Sequence, residues 1–289
     1  MENINWFPGH MAKTRRLINE NLKLVDIVIE LLDARLPLSS RNPEINEIVS
    51  GKPRLILLNK SDIADKNTTK EWIEYFKNEG ISAMPVSSTQ SKNLNMIFDK
   101  CKAILKDKLQ RQKEKGIVGK PVKMMVVGVP NVGKSSFINK LSGKKSAVTG
   151  DRPGVTKGKQ WIRLKNGFEL LDTPGILWPK FEDKSIGMKL AFTGAIKDEI
   201  MDTEYLSCSL LEFLKENYPE SLFARYKMTD FENLDGYEML NLLGKKRGFV
   251  ISGGKIDTLR AANILLDEFR GAKLGEISLE KPSDFEKGE

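Results

Sequence analysis

The chain has 289 residues, 40% of them hydrophobic, which is enough apolar material for two cored domains and too much for a disordered chain. Its two cysteines, Cys101 and Cys208, stand far apart with no Cys-x-x-Cys or Cys/His spacing, which excludes a disulfide framework and a zinc site and points to a reducing, cytoplasmic compartment. No run approaches the roughly 18 apolar residues of a membrane span, and the first 17 residues lack the apolar stretch of a signal peptide, so no membrane partner is expected. The net charge of +8 is unevenly spread: residues 1–181 carry 32 Lys and Arg against 18 Asp and Glu, and residues 182–289 carry 15 against 21. The basic excess is densest over residues 100–123 and 134–165. It reads either as a solvated lysine-rich face with a few phosphate-facing residues or as a nucleic-acid footprint.

The chain opens on Asn5-Trp6-Phe7-Pro8-Gly9-His10-Met11-Ala12-Lys13, two aromatics and a turn dipeptide, followed by an amphipathic helix to residue 24. His10 is the only histidine, and a lone histidine is more often structural than catalytic. Residues 25–32 predict a mostly buried strand ending at Asp33-Ala34-Arg35, and residues 54–58 a second strand leading straight into Asn59-Lys60-Ser61-Asp62. A helix over 69–78 and a strand over 81–86 follow, with Ser87-Ser88-Thr89 at the strand's carboxyl end. A helix over about 94–108 comes next, and the charged run 106–120 is read as a linker to a strand over 122–127. Alternating β and α elements predict a doubly wound, mostly parallel sheet, in which ligands bind at the carboxyl ends of the strands.

The densest signal follows that last strand. Gly128-Val129-Pro130-Asn131-Val132-Gly133-Lys134-Ser135-Ser136 fits G-x-x-x-x-G-K-[ST] between a strand and a helix over 135–141, the pattern of a phosphate-binding loop. The glycines permit close backbone approach, successive N–H groups can face phosphate oxygens, and the helix presents its positive end. Lys134 would reach the β- and γ-phosphates, and the Ser135 hydroxyl would ligate Mg²⁺. Gly150-Asp151-Arg152-Pro153-Gly154-Val155-Thr156, a hairpin over 160–171 and Asp172-Thr173-Pro174-Gly175 follow. From residue 181 the pattern turns helical, with helices over 188–196, 204–216 and 257–270; in the last, Leu259, Ala262, Leu266 and Phe269 share a face. Two domains are expected, 1–180 and 181–289, the second all-α.

Asn59-Lys60-x-Asp62, the phosphate loop, Thr156 and Asp172-x-x-Gly175 together resemble the motif set of the GTPase superfamily. In that family the aspartate of N-K-x-D accepts hydrogen bonds from guanine N1 and N2, which implies GTP or GDP rather than ATP as ligand through Asp62. Ser87-Ser88 resembles the loop that backs the base. The order is unusual, because N-K-x-D precedes the phosphate loop by about seventy residues. The chain therefore resembles the circularly permuted GTPases, and its W-F-P-G-H-M-A-K opening, D-T-P-G-I-L-W-P-K-F stretch and G-K-K-R-G segment resemble those of the bacterial members that serve ribosome biogenesis.

The resemblance implies a P-loop GTPase domain with permuted motif order plus an all-α domain, 181–289, in contact with RNA or the ribosome. It further implies a monomeric assembly factor for the large ribosomal subunit that contacts rRNA and ribosomal proteins, with hydrolysis stimulated by the particle. A nucleotide-gated RNA-binding scaffold with incidental turnover is the alternative. Nucleotide would be held by Asn59, Lys60, Asp62, Ser87, Ser88, Asn131, Val132, Gly133, Lys134, Ser135, Ser136, Thr156 and Gly175. Mg²⁺ would be held by Ser135 and Thr156 directly and by Asp172 through water. Ile176 stands where a water-orienting glutamine is usual, and it cannot polarise water. The resemblance offers His10 as its substitute; the other reading is that His10 packs or meets RNA. Asn131 matches the K⁺-ligating position of potassium-dependent GTPases, the other reading being a plain loop residue.

Overall fold

A computed structural model describes residues 16, 18–49, 51–91, 93–129, 131–143, 160–172, 184–196 and 201–285. In chain order the elements are β1 (Ile27–Asp33), α1 (Ile45–Ile48), β2 (Arg54–Asn59), α2 (Lys66–Asn78), β3 (Ser82–Pro85), α3 (Met96–Ile104), α4 (Lys106–Glu114), β4 (Val122–Val127), α5 (Lys134–Ser142), β5 (Gln160–Arg163) and β6 (Phe168–Asp172). Then come α6 (Lys184–Phe192), α7 (Thr203–Asn217), α8 (Pro219–Tyr226), α9 (Gly236–Lys246) and α10 (Thr258–Arg270). The chain forms two compact units, residues 1–182 with 278–289, and residues 183–277.

In the first unit the sheet order is β3-β2-β1-β4-β6-β5. All neighbours are parallel except the β5–β6 hairpin. Both faces are covered, which is why the strands read as apolar runs. The period of two still sorts their side chains. Ile27, Ile29 and Leu31 join Phe98, Phe137 and Ile138 on one side, and Val28 and Leu32 face clusters containing Ile18 and Trp72 on the other. Glu30 falls on that second side, 2% exposed, against Arg41 and Arg54, each 3.3 Å away. Burial is the main influence on its carboxyl and raises its pKa despite the two guanidinium groups.

Two sequence expectations change here. The charged run read as a linker contains α4, a helix with no buried residue, held at its base by Lys108 on Asp26 at 2.5 Å and by Leu109 against the core. Lys, Leu, Gln, Arg and Glu are good helix formers, so the segment is helical without the apolar stripe that would have announced it. Nor does the second unit run to residue 289 as expected, because residues 278–285 return to the first. Leu279 N donates to Arg35 O at 2.7 Å, and the Glu280 carboxylate accepts from Leu38 N, Ser39 N and Ser39 Oγ at 2.5, 3.1 and 2.6 Å. Trp72 Nε1 donates to Glu280 O at 3.2 Å, and Phe285 lies against the Trp72 ring. No helix among the described residues is long and apolar enough to cross a membrane.

The second unit packs α7, α9 and α10 through Leu210, Leu214, Leu240, Leu243, Leu265 and Leu266. Gly236 lets α9 approach α7, since a Cβ there would stand 2.7 Å from Cys208 O. Asp257 caps α10 by accepting from Arg260 N at 3.0 Å, but the buried face of α10 runs through Ala261, Ala262, Leu265, Leu266 and Phe269, leaving the expected core residue Leu259 53% exposed. Glu268, buried on that face, accepts from Arg225 and Arg247. The Arg225 hydrogen bonds, aided by the Arg247 charge, lower its carboxyl to about 2.

Candidate nucleotide site

The parallel register places Asp33 beside Asn59 at the carboxyl ends of β1 and β2, next to the turn that follows β4. Gly128 begins that turn with no room for a side chain, because a Cβ would lie 2.6 Å from Leu31 O. Gly133 ends it at φ +95°, in the left-handed region, and accepts from Phe137 N at 2.8 Å as α5 begins. Val132 is buried, Lys134 and Ser135 are half-buried in the first turn of α5, and Asn131 and Ser136 are exposed. Lys134 Nζ lies 3.4 Å from Gly128 O, folded back over the loop.

Asn59 ties three segments together. Its amide donates to Val132 O at 2.8 Å, while its Oδ1 accepts from Ser88 N at 3.1 Å and Ser88 Oγ at 2.8 Å. Buried at 1% exposure, this one side chain couples the end of β2, the phosphate loop and the loop after β3. Lys60, at φ +59°, reaches Asn131 O at 3.2 Å and the Asp33 carboxylate at 3.0 Å. Asp33 is itself gripped by Arg35, whose Nε and Nη2 donate at 3.0 and 2.8 Å. Burial pushes the Asp33 carboxyl up, but Arg35 and Lys60 together hold it well below the usual carboxylate range.

Asp62 is different. Thr89 Oγ1 donates to its Oδ2 at 3.3 Å, yet its Oδ1 is shielded from solvent and has no hydrogen-bond partner among the described residues. A buried acceptor left unmade costs about 1–3 kcal/mol, so the arrangement suits a ligand that brings N–H donors to that point, as the guanine edge does. Ser87 turns inward, bonding Thr89 Oγ1 at 3.0 Å and Gln90 N at 3.1 Å, and so shapes the loop that carries Thr89.

The structure thus brings together Asn59, Lys60, Asp62, Ser87, Ser88, Asn131, Val132, Gly133, Lys134, Ser135 and Ser136. Among the expected residues, His10, Thr156 and Gly175 lie outside the described residues, as does the side chain of Asp172, whose backbone ends β6. Asp33, Arg35 and Thr89 carry no motif of their own. The available signal was the position of Asp33 at the carboxyl end of a buried strand. The two loop glycines and the orphaned Asp62 oxygen fit a guanine nucleotide, and the Ser135 hydroxyl is of the type that ligates Mg²⁺ beside it.

Known proteins fit this geometry. Residues 123–214 match the family model described as 50S ribosome-binding GTPase. A Bacillus cereus protein named Ribosome biogenesis GTPase A is 49% identical over 98% of this chain and 95% of its own length. A Thermotoga maritima protein of the same name is 34% identical over 98% and 96%. The GDP-bound structure of a protein called YlqF superposes with a TM-score of 0.66 at 30% identity, covering 93% of this chain and 100% of that one. The GNP-bound YlqF structure from T. maritima gives 0.63 at 30% identity, covering 93% and 98%.

Proposed function

The chain belongs to the ribosome biogenesis GTPase A family and is a GTP-hydrolysing enzyme, and on that premise we propose that it assists assembly of the large ribosomal subunit. In this reading it works in the cytoplasm as a monomer, contacts rRNA and ribosomal proteins through both domains, and hydrolyses GTP faster when seated on the particle. The observation that carries the nucleotide half is the shielded Asp62 Oδ1, without a partner among the described residues, on the segment whose Asn59 braces the phosphate loop.

In the proposed mechanism, Asp62 accepts from the guanine N1 and N2 groups, Lys60 lies along the base, and the Ser88–Asn59 link holds the backing loop in register. The backbone N–H groups of residues 131–136 and the Lys134 ammonium hold the phosphates, with Gly175 at the γ-phosphate. Mg²⁺ would be held by Ser135, Thr156 and, through water, Asp172, and it would neutralise charge developing on the phosphates. Asn131 is the residue that would hold a K⁺ beside the phosphates, where it would add positive charge. With Ile176 in the glutamine position, His10 is the residue proposed to orient the attacking water.

The test is GTP hydrolysis by the purified chain and by His10→Ala, in potassium or sodium buffer, with and without large ribosomal subunits. Stimulation by subunits that is lost in His10→Ala, and that is stronger in potassium, is the expected result. Equal rates with and without subunits would remove the ribosome as activator.

A further inference from the structure

We propose that the exposed face of α4 and the cleft at its base form a second RNA-binding surface, on the GTPase unit, that grips the phosphate backbone at the end of the sheet away from the nucleotide. The cleft has a volume of about 560 Å³ and is lined by four cations, Lys52, Lys108, Arg111 and Lys115, two carboxylates, Asp26 and Asp107, and apolar residues such as Ile117. Its walls come from the end of α3, from α4 and from residues just before β1 and β2, whereas Asp33 and Asn59 end those strands at the far side and Gly128 follows β4. The seven residues of β1 separate the two by about 20 Å. This position bears on the basic run 100–123, since its cations are too far away to serve the nucleotide's phosphates.

Residues 100–123 hold nine Lys and Arg against two acids, Asp107 and Glu114. Lys108 is committed to Asp26, and Lys52 donates to Val25 O at 2.8 Å. No carboxylate among the described residues pairs with Lys106, Arg111, Lys113 or Lys115, all exposed. Arg111 and Lys115 line the cleft together with Lys108, and at 1.5 Å per residue the three form a row about 10 Å long.

Such a row suits a polyanion, and the choice between RNA and an acidic protein follows from which residues predominate. Protein interfaces are poor in lysine, whereas Lys106, Arg111, Lys113 and Lys115 stand exposed here beside two exposed aliphatic residues, Ile117 and Val118. A phosphate backbone needs only cations free to replace its counterions. The cleft also lacks an aromatic ring on which bases could stack, so binding should be insensitive to sequence. At about 20 Å, roughly two Debye lengths at physiological salt, RNA held here leaves the nucleotide's electrostatics untouched.

The inference rests on the ribosomal reading only for the source of the RNA. The experiment is fluorescence anisotropy of a fluorescein-labelled RNA hairpin titrated with the full chain and with the triple variant Arg111→Gln/Lys113→Gln/Lys115→Gln over a range of KCl concentrations. All three positions are exposed, and unchanged thermal unfolding and mant-GDP affinity confirm that the variant is intact. Binding should weaken by at least about tenfold at low salt, and the slope of log affinity against log salt should shrink by about one per cation removed. An unchanged slope and affinity, or no hairpin binding by the unsubstituted chain, would overturn the proposal. So would a variant that keeps the hairpin but loses poly-glutamate, which would make the partner an acidic protein. Stimulation of hydrolysis by large subunits is measured on the unsubstituted chain, so either reading can fail without the other.

Discussion

Two glycines in left-handed backbone, Gly133 and Gly143, bracket α5 and separate the role of conformation from that of space. Alanine at either position takes on the cost of a positive φ, about 1 kcal/mol. At Gly143, φ +69°, the new Cβ meets nothing within 4 Å, so the loss ends there and nucleotide affinity stays as it was. At Gly133, φ +95°, the Cβ would stand 2.5 Å from Asn59 Nδ2, where 3.4 Å is the start of ordinary contact. Either Asn59 or the loop must therefore give way by about 0.9 Å. That displacement cannot preserve both the 2.8 Å bond to Val132 O and the two bonds from Ser88. Losing buried hydrogen bonds of this kind adds about 1–3 kcal/mol. The loss falls on the phosphate loop itself, so mant-GDP affinity should drop about 10- to 100-fold in Gly133→Ala and stay within about twofold in Gly143→Ala. Urea unfolding and mant-GDP titration of both variants measure the two effects. Wild-type affinity in Gly133→Ala would refute the bracing role assigned to Asn59.

Asp62→Asn removes the charge of a half-buried carboxylate whose shielded Oδ1 has no partner among the described residues, so GDP affinity should fall about 100-fold or more while urea stability holds or rises by about 1 kcal/mol. A parallel fall in stability would mean that the carboxylate serves the fold. Asp33→Asn leaves Arg35 and Lys60 without their shared counter-charge and should cost about 3 kcal/mol of stability. It should also weaken GDP binding, with no further effect in a Lys60→Ala background; additive losses in that double-mutant cycle would show that Asp33 does not act through Lys60. Because the folded carboxyl is depressed, its contribution is complete above the unfolded pKa of about 3.9 and drains as pH falls below that toward the folded value. The acid limb of stability measured from pH 6 to pH 3 should accordingly be shallower in Asp33→Asn. Glu280→Ala strips three hydrogen bonds from the 38–39 turn and should lower the first unit's urea stability by about 4 kcal/mol, a loss that a purely peripheral strap would not produce.

Some of this was legible in the sequence because the signals are local. The strand ahead of Gly128 and the glycine spacing fixed the phosphate loop, and Asn59-x-x-Asp62 stood where a parallel strand ends. The bracing was not legible, because Asn59 and Val132 lie 73 positions apart and meet through sheet register alone. Asp33 depends in the same way on its pairing with Asn59. The α4 helix carries no periodic signal because it buries nothing, and periodicity reports burial. α9 does carry a local signal, the capping box of Asp235 and Glu238, and α8 another, the proline at its first turn. Leu259 shows the converse error, since a helical face drawn by spacing can be rotated by one position from the one that packs.

The return of residues 278–285 makes the GTPase unit discontinuous in sequence, and discontinuity has a temporal side. These residues are synthesised after every residue of the helical unit. Until they arrive, the turn at Leu38 and Ser39 lacks the Glu280 carboxylate, and Trp72 lacks Phe285. A nascent chain that has already made its phosphate loop, its Asn59 brace and all six strands therefore still awaits the segment that closes the sheet's flank. A polypeptide that stalls within the helical unit is left with a GTPase unit weakened at the turn that follows Asp33. The full stability of the GTPase unit therefore waits on residues made after the helical unit.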